Sequence, residues 1–204
     1  MRRPCFHSLV LVPILMLTGF PAVAGIPMPG SRDRQPVVTV AHVALPRTVT
    51  LAGSSLILNG SGVRRKYFVE KTFVAALYLP LKAKYLDMLI AEKGPSRLSL
   101  HMLADRSARD FDSQLNDAFR ANTPAGQVAA MQQKLKTLEG YFPDLRKGDT
   151  VNIDYVPTKG LSVTVNGTRE GRVRGAAFYA AWLRAWLGRS PLDGDLKAAL
   201  LDQH

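Results

Sequence analysis

The order of strand-like and helix-like patterns constrains the fold of this chain more than any other sequence feature. Strand patterns dominate residues 37–79 and recur over 97–103. Two helical patterns follow over 107–140. A strand pair is then predicted over 150–165, and further helical patterns over 176–201. The strands follow one another through hairpin turns and do not alternate regularly with helices, as they would around a parallel sheet. We therefore predict an α+β fold with an antiparallel sheet and helices on one face.

Turn residues divide the first strand-rich region into separate strands. One strand is predicted over residues 37–43 and two short ones over 47–58, where Asn59-Gly60 stops the second. Residues 63–79 are too rich in β-branched and aromatic residues for a surface helix. They predict two strands joined by a turn at Glu70-Lys71.

Helical periodicity is clearest near the end of the chain. In residues 176–187, Phe178, Trp182 and Trp186 stand four residues apart and predict one buried aromatic stripe. Ser107, followed three residues later by an acidic residue, resembles a capping box and marks a helix start. The predicted helices are 82–92, 107–121, 124–140, 176–187 and 195–201.

The first 24 residues have the pattern of a secretory signal peptide. Arg2-Arg3 precedes a short apolar run over residues 9–17, and Ala22-Val23-Ala24 provides the small residues before a cut at Gly25. The run is about half of the ~20 residues that a membrane-spanning helix needs. We expect cleavage and a periplasmic mature protein with a flexible lead-in over 25–36 and one domain over 37–204.

Charge and cysteine content narrow the classes of ligand and partner. The 204-residue chain has a net charge of +11, one cysteine and four histidines, which disfavours a disulfide framework or a metal centre, and we predict no cofactor. The basic residues are scattered and lack the interleaved aromatic residues of a nucleic-acid surface. We expect no nucleic-acid partner and a weak attraction to anionic membrane surfaces; protein partners stay open.

Familiar catalytic motifs are missing from the sequence. It contains no G-x-S-x-G, Walker A, H-E-x-x-H or C-x-x-C pattern, and Gly60-Ser61-Gly62 lacks the third glycine of a dinucleotide fingerprint. His101 falls on the polar side of an alternating strand, where a structural role is favoured over that of a catalytic base.

The stretch from Asn59 to Pro80 contains the most informative charged residue. Alternation places Arg64 and Arg65 on opposite faces of a strand with apolar neighbours, so one of them faces inward. A buried guanidinium is costly unless a partner neutralises it. A carboxylate or phenolate ligand would do so, and Gly62 would let it approach closely. A structural ion pair with a core Asp or a carbonyl would serve equally, and both interpretations stay open.

This stretch resembles the chalcone isomerase-like family. The resemblance lies in G-x-G-x-R, formed by Gly60, Gly62 and Arg64, and in the A-x-Y-L run that contains Ala76 and Tyr78. The tail over 182–201 resembles the exported bacterial branch, and the likeness covers about residues 52–201. It implies an open-faced β-sandwich, an antiparallel sheet covered by a layer of helices.

The resemblance also implies a ligand site. In the plant enzymes of the family, the motif arginine assists ring closure of a chalcone, and here that residue is Arg64. The hydroxyl positions of those enzymes carry Phe73 and Phe111 instead, while Thr72 is one position off and Asn116 is out of register. Loss of those hydroxyls disfavours catalysis. The resemblance implies ligand-binding residues Arg64, Phe73, Tyr78 and Phe111.

Three functions follow from these residues. The first is non-catalytic binding of a small apolar carboxylate, such as a fatty acid, through Arg64, as in the fatty-acid binders of the family. The alternative is an isomerase or lyase of chalcone isomerase type that acts on an enone or a phenol. A third is an accessory protein whose own side chains fill the pocket.

Overall fold

The computed structural model describes residues 36–67 and 69–203. The predicted signal peptide and residues 25–35 lie outside the described residues. Among the described residues, no helix has the length and apolar character needed to cross a membrane.

A seven-stranded antiparallel sheet forms the centre of the fold. Its strands lie side by side in the order in which they occur along the chain, as the hairpin-rich sequence predicts. A separate two-stranded hairpin precedes it. The hairpin consists of β1 (Val37–Val40) and β2 (Val43–Pro46), and the sheet of β3 (Thr48–Leu51), β4 (Ser54–Lys66), β5 (Glu70–Leu79), β6 (Ser96–Met102), β7 (Thr150–Val156), β8 (Gly160–Val165) and β9 (Thr168–Val173).

Helices cover one face of the sheet and enclose the main core, so the α+β prediction is confirmed. They are α1 (Leu86–Glu92), α2 (Ala108–Ala121), α3 (Ala125–Glu139), α4 (Ala176–Leu187) and α5 (Gly194–Leu200). The predicted aromatic stripe of α4 is buried, with Trp182 and Trp186 only 2% and 3% exposed. The ring of Trp186 lies 6.4 Å from that of Phe73 on β5, which joins helix and sheet. The predicted Ser107 cap is also present, because its hydroxyl accepts from the Asp110 backbone N–H.

A smaller core lies on the opposite face of the sheet. Leu45 of the β1–β2 hairpin and Leu56 of β4 pack there against Val74, Ala76 and Tyr78 of β5. The intervening residues of β5 face the helices and belong to the main core. Strand β5 is therefore buried on both faces, which explains why its sequence is apolar without alternation.

Strand β4 continues through Asn59-Gly60, so the predicted break there is wrong. The Asn59 side-chain amide donates to the carbonyls of Ala83 and Leu200, and its oxygen accepts from the Ala83 N–H. Gly60 lies directly under the backbone of Leu200 at the end of α5. Turn-forming residues serve here to anchor distant segments to one long strand.

Other boundaries also differ from prediction. Tyr67 to Val69, not Glu70-Lys71, connects β4 to β5, because β5 begins at Glu70. Helix α1 begins four residues later than residue 82, and the strand predicted over 37–43 is a hairpin. Strand β9 was not predicted, because its sequence TREGRV has a polar composition.

Replacing Gly60 with Ala is expected to lower the free energy of unfolding by about 1–3 kcal/mol through overpacking. A Cβ at this position would lie 2.6 Å from the Leu200 carbonyl oxygen and closer still to that of Ala199, and neither backbone atom can rotate away. Gly126→Ala is the matched control, since a Cβ there would meet nothing within 4 Å. Urea unfolding of both variants tests the prediction, and equal stabilities would contradict it.

Candidate functional site

Arg64 lies near the end of β4 on the face that the helices cover, and is thus the inward-facing member of the Arg64–Arg65 pair. Gly60 and Gly62 precede it on this face, and a Cβ on Gly62 would clash with Leu196 and Ala199 of α5. Helix α5 therefore occupies the space beside β4 that the missing side chains of these glycines leave free. The expectation that Gly62 makes room for a ligand is wrong.

The Arg64 guanidinium has only loose partners within the protein. Its Nε lies 3.8 Å from Asp193 Oδ2, too far for a hydrogen bond, and its Cζ lies 5.8 Å from the centre of the Phe73 ring. The side chain is 12% exposed, and its buried Nε has no hydrogen-bond partner among the described residues. The structural ion pair considered for this arginine is thus present but incomplete.

Asp193 contacts Arg64 and is also the N-terminal cap of α5. Its Oδ1 accepts from the Leu196 N–H at 2.9 Å and thereby caps α5, while Oδ2 faces the guanidinium. The cap fixes where this carboxylate stands, so the protein itself supplies an anion beside Arg64.

Electrostatics at Arg64 favour an additional anion. Burial and, second, the neighbouring Arg106 lower the pKa of the Arg64 guanidinium, whereas Asp193 raises it. Because arginine stays protonated in proteins, this lowered pKa means that the positive charge is poorly compensated. A bound carboxylate would relieve the imbalance.

A cavity of about 310 Å³ opens beside Arg64. It lies between α2 and the loop that leads into α5, and Gln114 provides a buried side-chain oxygen without a hydrogen-bond partner in the described structure. Its lining residues are Arg64, Gln114, Asp117, Ala118, Ala121, Ser190, Pro191 and Leu192. The cavity falls in the size range of small-molecule sites and combines apolar walls with a few polar groups.

Arg106 is a second buried arginine near this site. It is 8% exposed, one terminal nitrogen donates to the Asp110 carbonyl at 3.5 Å, and its Nε has no hydrogen-bond partner within the described chain. Burial lowers its pKa, while Asp110 and Glu70 raise it. Arg106 lines a separate cavity of about 350 Å³, so Arg64 alone serves the first one.

Two of the predicted site residues, Phe73 and Phe111, lie in the main core. Phe73 is opposite Arg64 in the strand register and 0% exposed. Phe111 on α2 is 1% exposed, and its ring centre lies 4.6 Å from that of Phe142. Both rings belong to the main core, and neither lines the cavity beside Arg64.

Tyr78 does not join this group, which corrects the predicted site. It lies on the opposite face of β5, packed in the smaller core with Val74 and Ala76, and is 1% exposed. Burial raises its pKa to about 12, so the phenol stays neutral. Because strand residues of even and odd number face opposite sides, Tyr78 and Phe73 cannot line one cavity.

The chain is similar to known proteins both in sequence and in fold. A family model described as chalcone isomerase-like matches residues 37–202, which is most of the chain. The chain belongs to the chalcone isomerase-like family. The crystal structure of a fatty-acid binding protein from Arabidopsis thaliana has a similar fold, with a TM-score of 0.65 and 14% identity over 82% of this chain and 96% of that one. No curated protein sequence matches.

The hydroxyl of Thr72 and the side-chain amide of Asn116 are the polar groups closest in sequence to the hydroxyl and amide positions that the family resemblance implies. The Thr72 hydroxyl donates to the Arg64 backbone carbonyl at 3.2 Å. The Asn116 amide donates to Glu139 and accepts from Arg120. Both groups are therefore engaged in hydrogen bonds within the protein.

Three residues of the site were missed at the sequence level. Gln114 falls on the predicted helix but has no motif of its own. Asp193 stands two residues before the helix predicted over 195–201, and the helix begins one residue earlier, at Gly194, so that Asp193 is its cap. Its contact with Arg64 has no signal in the sequence. Arg106 stands just before the Ser107 cap, and only the tertiary fold brings it near Arg64.

Proposed function

We propose that this protein binds a small apolar carboxylic acid, such as a fatty acid, through Arg64 and does not convert it. One observation carries the proposal: the buried Nε of Arg64 has no hydrogen-bond partner in the described residues, at the wall of a cavity. The similar fold of the Arabidopsis fatty-acid binding protein supports it.

The guanidinium suits a carboxylate because its planar fork donates two parallel hydrogen bonds. The ligand carboxylate would complete the coordination that Asp193, at 3.8 Å, leaves unfinished. Its apolar part would lie along Ala118, Pro191 and Leu192 of the cavity wall.

Binding without conversion follows from the residues around Arg64. Ring closure of a chalcone requires hydroxyls that hold a water and polarise the ketone, and the corresponding positions carry Phe73 and Phe111. An isomerase or lyase of the same fold is the alternative, and an accessory protein with a filled pocket is the third.

Calorimetric titration of the purified protein with a long-chain fatty acid tests this proposal. We expect saturable binding and, in a parallel assay, chalcone isomerisation no faster than in buffer. Saturable binding without turnover supports the first function. Isomerisation well above background would establish the alternative, and absence of both would favour the accessory protein.

We also propose that the protein acts in the periplasm as a member of an exported branch of the family. The signal-peptide pattern of residues 1–24 supports this location. N-terminal sequencing is expected to find Gly25 as the first residue, and an intact Met1 in a membrane fraction would refute export.

Replacing Asp193 with Asn is expected to tighten fatty-acid binding by about threefold to tenfold. Asn caps a helix as well as Asp does, so α5 keeps its start, but the anion that competes for Arg64 is removed. An ion pair of this kind contributes about 1 kcal/mol. Its removal before the ligand binds should improve the binding free energy by about that amount, which corresponds to the stated change in affinity. Asp195→Asn in the first turn of α5 is the control, and calorimetry should find its affinity unchanged. Weaker binding by Asp193→Asn would contradict competition.

A further inference from the structure

Two large apolar side chains protrude at the connection between β4 and β5. Tyr67 is 79% exposed and Val69 82%, the highest values among the exposed large hydrophobic residues of the described chain. We define the described residues 65–67 and 69–71 as the hairpin tip. We propose that the hairpin tip docks on an anionic lipid bilayer, with Tyr67 and Val69 in the interfacial region.

The charge of the hairpin tip complements such a surface. Arg65 and Lys71 are exposed and Lys66 is half-buried, against one acidic residue, Glu70. The Lys66 ammonium lies 5.4 Å from the centre of the Tyr67 ring, so the cation and the aromatic ring project together. Cations beside aromatic residues are typical of segments that lie in the interface of anionic membranes.

The backbone at Tyr67 supports a role beyond folding. Its φ is 51°, in the left-handed region, where glycine or asparagine is favoured and a bulky side chain is strained. An aromatic residue at this position makes the turn less stable and at the same time exposes a ring to solvent. Interfacial insertion accounts for the exposed ring, because a membrane interface accepts an aromatic ring that carries a polar hydroxyl.

A bilayer fits the hairpin tip better than a protein partner does. Protein–protein interfaces are depleted in lysine at their centre, and the described side chains of Tyr67 and Val69 together offer far less area than a stable interface buries. The cavity of Arg106 next to Lys66 contains four acidic residues among its lining, so it adds no net attraction for anions. The attraction comes from the exposed cations of the tip and is therefore sensitive to salt.

The chain offers a matched control surface beyond the other end of β5. Leu81 and Tyr85 are each 65% exposed and stand beside Lys82 and Lys84. Their composition resembles that of the hairpin tip, but the Lys82 ammonium lies 3.6 Å from Asp202 and donates to the Asn59 carbonyl, which weakens the attraction of this surface for anions. A general tendency of exposed apolar residues to bind lipid would affect both surfaces equally.

Co-sedimentation with phosphatidylglycerol vesicles, and with phosphatidylcholine vesicles for comparison, tests the proposal. We expect binding to the anionic vesicles, a loss of at least tenfold in Tyr67→Ser/Val69→Ser, and no loss in Leu81→Ser/Tyr85→Ser. Arg65→Ala should weaken binding about fivefold, the effect of about 1 kcal/mol per cation at such a surface. Tyr67→Gly should also lose binding while melting no lower than wild type, since glycine suits this φ.

A fluorescent probe locates the contact. An environment-sensitive dye on Val69→Cys, with Cys5 replaced by Ser, should shift to the blue with anionic vesicles, whereas the same dye on Leu81→Cys should not. Equal binding to both lipids, or a loss confined to the control pair, would overturn the proposal. Capture of a protein partner through the tip without vesicle binding would overturn it as well. None of these variants alters Arg64, so each should still bind fatty acid like the wild type. A failure of vesicle binding can therefore be distinguished from a failure of fatty-acid binding.

Discussion

Replacing Trp182 with Ala is expected to lower the free energy of unfolding by about 3–5 kcal/mol. Trp182 is the largest of the fully buried side chains, and its ring centre lies 6.2 Å from that of Tyr179 and 6.0 Å from that of Trp186. Truncation removes its apolar contacts and leaves a cavity between α4 and the sheet. Urea unfolding followed by circular dichroism measures the loss.

Two further variants separate packing from other effects. Trp182→Phe keeps an aromatic ring and removes an indole N–H that has no hydrogen-bond partner in the described part of the chain, so it should cost less than half as much as Ala. Tyr85→Ala, at a 65% exposed position, should change stability by less than about 0.5 kcal/mol. If the urea midpoint of Trp182→Ala equals that of the wild type, the aromatic stripe does not contribute to the stability of the core.

Elements with strong local signals were predictable from the sequence. The bounds of α4 agree with the prediction because its apolar spacing is unbroken over residues 176–187. The start of α2 follows from the Ser107 cap, a contact over three residues. The antiparallel sheet follows from the succession of hairpins. These features depend on neighbours in sequence, so periodicity is sufficient to detect them.

Features that depend on distant contacts were not predictable in this way. Asn59-Gly60 has the composition of a turn, yet Asn59 bonds to Leu200, 141 residues away, and Gly60 gives room to α5. The polar strand β9 is held by its pairing with β8, which local propensity does not reveal. In both places tertiary contacts override the local preference.

The candidate site was predictable only in part, for the same reason. Alternation predicts that one of Arg64 and Arg65 faces inward, and the family motif selects Arg64. The structure places Arg64 on the helix-covered face with Phe73. The family resemblance adds Tyr78, from the A-x-Y-L run, to the same site, although strand parity places it on the other face. The carboxylate of Asp193 reaches Arg64 from 129 positions further along the chain, and only the folded structure reveals that contact.

Replacing Arg64 with Ala is expected to weaken fatty-acid binding by at least about 30-fold. Loss of one partner from a buried, charge-assisted pair costs about 2–5 kcal/mol, because the ligand carboxylate is left without its donors. Arg64→Lys should restore binding only in part, since an ammonium lacks the bidentate fork. Arg65→Ala, at an exposed position, should bind within twofold of wild type in the same calorimetric titration.

Two comparisons decide whether Arg64 acts on the carboxylate itself. A fatty-acid methyl ester lacks the anion, so Arg64→Ala should bind the ester as wild type does while it loses the acid. The gain predicted for Asp193→Asn should disappear in an Arg64→Ala background, because Asp193 affects the ligand only through the guanidinium. If acid and ester weaken together, or if the Asp193 effect persists without Arg64, the arginine supports the cavity and does not recognise the carboxylate.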